Sequence, residues 1–78
     1  MFMKTFSTSD LAIASYAIAT GAKLLRIDRS NRRAVFILET KWDEAELVHR
    51  YMNEPVLAKD FAHAQSHLKH QLFSQNIY

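Results

Sequence analysis

Between Thr8 and Thr20 the chain places Leu11, Ala12, Ile13, Ala14, Tyr16, Ala17, Ile18 and Ala19, with Asp10 and Ser15 the clearly polar residues among them. A helix over this stretch is apolar around nearly its whole circumference, so it must be covered on more than one side. The chain has 78 residues, and a domain of that size buries only about 60 to 65% of its unfolded surface. Cover for such a helix is therefore the main demand on the rest of the fold. Two start signals predict its beginning. Ser7 can cap it while Asp10 reaches back in a capping-box arrangement, and Phe6 can staple onto Leu11. Gly21, the one glycine in the chain, is placed to end it in the left-handed conformation.

The next segment reads as a β-hairpin, Lys23 to Asp28 and Arg32 to Glu39 around Ser30-Asn31. Asparagine tolerates the positive φ that a two-residue hairpin turn demands. That turn sets Asp28 opposite Arg33 and puts Leu25, Ile27, Ala34, Phe36 and Leu38 on one face, expected to be the core face. Leu24, Arg26, Asp28, Arg33, Val35 and Ile37 fall on the other. Two strands alone leave the run from Ala34 to Leu38 as an edge without charge or proline to blunt it.

A second helix is predicted from near Thr40, where Thr40 and Asp43 repeat the capping-box spacing, to near Asn53. Leu47, Val48 and Tyr51 form its apolar stripe, and Glu46 and Arg50 an exposed i,i+4 pair. Pro55 marks a turn. A third helix runs from Leu57 or Ala58 to Ser74 with Phe61, Ala64, Leu68 and Leu72 on one face. The expected fold class is α+β, a small single domain over residues 1–78 in the order α-β-β-α-α, with a two-stranded antiparallel hairpin packed on three helices. Phe36 and Leu68 are expected in its core.

Taken in order, Phe6-Ser7-Thr8-Ser9-Asp10-Leu11, Lys23-Leu24-Leu25, Arg32-Arg33, Glu46-Leu47-Val48, Tyr51-Met52-Asn53, and the helix from Phe61-Ala62 to Leu68-Lys69 resemble a family of small uncharacterised prokaryotic proteins. That family occurs in bacterial, archaeal and phage genomes and is classed as a domain of unknown function. The resemblance spans nearly the whole chain. It implies the order of elements and a mobile-element background, and it brings no catalytic residues with it.

Charge separates the segments more sharply than the overall +2 suggests. Residues 23–33 hold Lys23, Arg26, Arg29, Arg32 and Arg33 against Asp28, a net of about +4, whereas residues 39–54 carry a net of about −3. The hairpin cations can contact phosphates as β-ribbon readers do, or face solvent. A polarised chain can also stack on copies of itself. Trp42 lies off the stripe of the second helix, as an interface anchor or as a lid over its own core. Phe73, Ile77 and Tyr78 raise the same alternatives. His63, His67 and His70 share one helix face at spacings that can chelate zinc or nickel. That face lies opposite the apolar stripe, so a solvated polar face is the expectation.

The chain contains no cysteine, which excludes disulfides, thiolate metal sites and cysteine nucleophiles. No apolar run approaches the length of a membrane span, and Met1 to Ser9 lacks the pattern of a signal peptide, so a cytoplasmic location is expected. Ser7, Thr8 and Ser9 are accounted for by capping, and no catalytic constellation or cofactor is expected. The leading expectation is a non-catalytic interaction module that binds a protein partner. It is expected to self-associate, most simply as a homodimer, through the first helix or through Val35 and Ile37, with Trp42 as a further contact. Given the mobile-element background, one version is a phage-borne protein that occupies a host protein. The alternative is an accessory nucleic-acid binder using Lys23, Arg26, Arg29, Arg32 and Arg33.

Overall fold

The computed structural model describes residues 3–30 and 32–74, with the backbone alone at Ser74. The fold is α+β, in the order β1 (Lys4–Thr8), α1 (Leu11–Ala19), β2 (Lys23–Asp28), β3 (Val35–Thr40), α2 (Glu44–Asn53) and α3 (Ala58–Ser74). Three helices are present as expected, but α1 begins at Leu11 and α2 at Glu44, not at Thr8 and near Thr40, which belong to strands. The sheet has three strands where two were expected, ordered β1-β3-β2, and both neighbours of β3 run antiparallel to it.

The additional strand corrects the reading of Ser7 as a helix cap. Residues 4–8 pair with β3, Phe6 opposite Leu38 and Thr8 opposite Phe36. Phe6 is 5% exposed and belongs to the core as a strand residue. With Ser7 held in the ladder, the cap passes to Asp10, whose carboxylate accepts from the N–H groups of Ala12 at 2.8 Å and Ile13 at 3.3 Å. An ionised acceptor makes the stronger cap and suits the positive end of the helix dipole. The Thr8 hydroxyl accepts from the Asp10 N–H at 3.0 Å, closing the short turn between strand and helix.

The far end of α1 behaves as expected. Gly21 has φ +114°, its N–H bonds to the Ile18 carbonyl, and the Ala22 N–H returns to Ala17. These are the paired bonds of a Schellman ending. Between its ends α1 packs on β1 and β3, on α2 and, most extensively, on α3. Ala14, Ser15, Tyr16 and Ala17 are buried. The buried hydroxyl of Ser15 is satisfied by donation to the Leu11 carbonyl at 2.7 Å. The apolar circumference is thus covered largely within one chain, by α3 on one side and the sheet on the other.

The hairpin register also differs. Asp28 stands opposite Val35, not Arg33, and six residues separate β2 from β3 in place of a two-residue turn. Asn31 of that turn lies outside the described residues. A β-bulge falls between Leu24, opposite Leu38, and Arg26, opposite Ile37. The extra residue at Leu25 lets both Leu24 and Ile27 meet the core, which strict alternation forbids. Leu25, expected in the core, is consequently 46% exposed. Ile27, Phe36 and Leu38 are buried as expected, with Ala34 packed against them. β3 is the central strand, so most of the run expected as an edge is paired on both sides: β1 covers Phe36 to Leu38, while Val35 pairs with Asp28 of β2 alone and Ala34 precedes the strand.

Asp43, not Thr40, caps α2, accepting from the Glu46 N–H at 2.8 Å. Thr40 is the buried last residue of β3. Leu47 is fully buried, and the rings of Tyr51 and Tyr16 meet edge to face at 5.6 Å between centroids. In α3, Ala64 and Leu68 enter the core while Phe61 and Leu72 pack at its margin.

Candidate functional site

The five hairpin cations do not converge on one surface. Lys23 and Arg26 sit on β2, with Glu39 across the ladder from Lys23. The Arg26 guanidinium lies 3.9 Å from Asp28, an exposed pair that solvent screens. Arg29 turns inward and donates to the backbone carbonyl of Leu72 in the last turn of α3, where a cation is favoured by the helix dipole. Arg32 is exposed in the loop, and Arg33 reaches toward the Ser9 hydroxyl at 3.5 Å. The loop itself is shaped by Asp28, whose carboxylate accepts from both the N–H and the hydroxyl of Ser30. These two bonds, the backbone one foremost, hold the Asp28 carboxyl below its ordinary value, with burial opposing them and the Arg26 charge adding to them.

Val35 and Ile37 alternate with Phe36 and Leu38 along β3 and therefore lie on the face turned away from the core. They are half-buried, and their cross-strand neighbours on that face are Ser7, Arg26 and Asp28. Trp42 is half-buried and packs against the core. The Arg50 guanidinium stands 4.4 Å from its ring centroid and the Lys41 ammonium 5.3 Å. Arg50 also pairs with Glu46 at 3.0 Å and Glu54 at 2.7 Å, and the hydrogen bond to Glu46 is the main cause raising its pKa. These bonds fix the second helix and its turn.

His63, His67 and His70 are all exposed on α3. Among the described residues, no group of three histidine, aspartate or glutamate side chains is placed to share a metal ion. Phe73 is exposed, whereas Ile77 and Tyr78 lie outside the described residues. No described helix is long and apolar enough to cross a membrane.

One surface was not among the sequence-based expectations. A cavity of about 450 Å³ opens beside β2, lined by Ile18, Ala22, Lys23, Leu24, Leu25 and Arg26, with His67 and Gln71 of α3 across it. It adjoins a second of about 400 Å³ that shares Ile18 and His67 and continues past Ala64 to Asp60 and His63. The Leu24-Leu25 doublet between two cations was its only trace. A doublet of that kind marks a bulge only once the partner strand is known.

The model of a family described as a domain of unknown function, DUF5659, matches residues 3–74. The chain belongs to this family. No curated protein and no solved structure matches it. The DUF5659 match begins ahead of β1 and ends with α3, so it takes in all six elements, including the strand whose pairing converts the hairpin into a three-stranded sheet.

Proposed function

We propose that the protein is a non-catalytic interaction module that pairs with a second copy of itself through the helix-free face of its sheet. The observation that carries this reading is the position of Val35 and Ile37, two β-branched side chains on the central strand outside the core cluster. Around them stand Lys23, Arg26, Asp28 and Glu39, cations and acids together. In an isologous pair each patch meets its own image, so a rim of mixed sign can set unlike charges opposite each other.

The dispersal of the five hairpin cations favours this over the nucleic-acid reading, because Arg29 is committed to α3 and Arg26 has Asp28 beside it. Among the described residues the groups with shifted pKa values, Tyr16, Asp28 and Arg50, each serve the fold. That supports a non-catalytic role.

Light scattering at tens of micromolar tests the proposal. A mass near that of one 9.1 kDa chain overturns it. Ile37→Lys is expected to shift the species toward monomer with helix content intact. Association should persist between about 50 and 200 mM salt, where binding through three to five phosphate contacts loses roughly ten- to a thousandfold.

A further inference from the structure

We infer that the trough between β2 and α3 receives an acidic segment of a partner protein, anchored by an apolar side chain. The inference rests on the reading of the chain as a protein-interaction module and assigns that module a second surface. The two adjoining cavities share Ile18 and His67 and so form one continuous depression. Ile18, Ala22, Leu24 and Ala64 give it apolar walls.

Leu25 is the reason to regard the trough as a binding surface. It is the residue that the bulge adds, it lines the cavity, and it is 46% exposed although Leu24 beside it packs on the core. The fold needs the extra residue to bring Leu24 and Ile27 inward. It does not need a leucine there, since any side chain tolerated in a strand would serve.

Charge selects the partner. Lys23 and Arg26 bracket the Leu24-Leu25 doublet at one end of the trough, while the acid of its lining, Asp60, lies at the opposite end. Arg26 is free to exchange its loose, exposed contact with Asp28 for another carboxylate. A segment with carboxylates at the β2 end and an apolar side chain against Leu25 satisfies both features, and Asp60 fixes its direction by repelling acids at the far end. β2 has β3 on one side and no strand on its other edge among the described residues. The bulge breaks the ladder there, so recognition runs through side chains in preference to a full added strand.

The test uses the intact chain and a short fluorescein-labelled peptide alternating glutamate and leucine, with a lysine-leucine peptide of equal length as control. At about 50 mM salt the acidic peptide is expected to bind at least about tenfold more tightly than the basic one. Lys23→Glu and Leu25→Glu, both at exposed positions, are each expected to weaken it about fivefold or more, and amide shift changes should centre on residues 22–26 and 67–71. Equal binding of the two peptides, no binding at millimolar peptide, or shift changes centred on Val35 and Ile37 would overturn the inference. So would trough shifts that appear on concentrating the protein alone, which would make a second copy the occupant. A dimeric mass with no peptide binding removes the trough and leaves the sheet-face proposal standing. Peptide binding in the trough of a monomer does the reverse.

Discussion

The hydroxyl of Tyr16 donates to the backbone carbonyl of Glu54 across 3.0 Å, joining the middle of α1 to the residue that ends α2. The phenol is otherwise enclosed: Tyr16 is 4% exposed, its ring edge meets Tyr51, and burial, helped by the Glu54 charge, pushes its pKa above the usual value. A buried donor of this kind is worth about 1 kcal/mol net. Tyr16→Phe removes the bond with little loss of volume and is expected to lower the melting temperature by about 4 to 8 °C. An unchanged melting temperature would mean that this bond contributes nothing to holding α2 on α1.

Neighbouring leucines on β2 provide a direct test of the bulge. Leu24 packs on the core opposite Leu38, while Leu25 faces the trough. Leu24→Ala should therefore cost more than about 1 kcal/mol and Leu25→Ala less than about 0.5. Denaturant midpoints of the two variants decide it, and the reverse order would restore uninterrupted alternation. For scale, Phe36→Ala and Leu68→Ala, which empty fully packed sites, should each cost about 2 to 5 kcal/mol.

At Gly21 backbone and steric effects separate cleanly. A Cβ added there would meet nothing within 4 Å, yet φ is +114°. Gly21→Ala is expected to destabilise the chain by about 1 kcal/mol through backbone strain alone. A stabilised variant in thermal unfolding would show that the Schellman ending of α1 relaxes without cost.

Asp28 predicts a pH dependence of definite sign. Its folded pKa is held below the ordinary carboxylate value, first by the Ser30 N–H and then by the Ser30 hydroxyl. The stabilisation is therefore present above the unfolded-state pKa and is lost as pH falls through the lower, folded one. Carboxyl NMR titration should place Asp28 below the ordinary aspartate value. Ser30→Ala should move it only part of the way back, since the backbone donor remains. A full return to the ordinary value would reverse the order of the two causes.

How much of this was legible in advance depended on the range of the interactions involved. Gly21 as the end of α1 and the Glu46–Arg50 pair are set by contacts within about five residues along the chain, and the extent of α3 with Leu68 on its apolar stripe follows from local periodicity, so they were readable from spacing. Phe36 and Leu38 were legible as core because alternation on a strand is local too. Strand β1 was not. Phe6-Ser7-Thr8 carries equally good cap and strand chemistry, and the choice belongs to β3, whose ladder claims the Ser7 backbone from about thirty residues away.

The same non-local pairing decided the surfaces. Which of Leu24 and Leu25 turns inward was undetermined until β3 fixed the register, and one added residue reverses every face beyond it. The cluster of five cations was visible in the sequence, but its scattering was not, because Arg29 finds the Leu72 carbonyl only after α3 has docked. Sequence by itself determined that there are three helices, where α1 ends, and most of the core, Phe36, Leu38 and Leu68 among it. Tertiary structure decided the number of strands, the open face of the sheet and the trough at its edge, because those depend on pairings between segments that composition and periodicity do not encode.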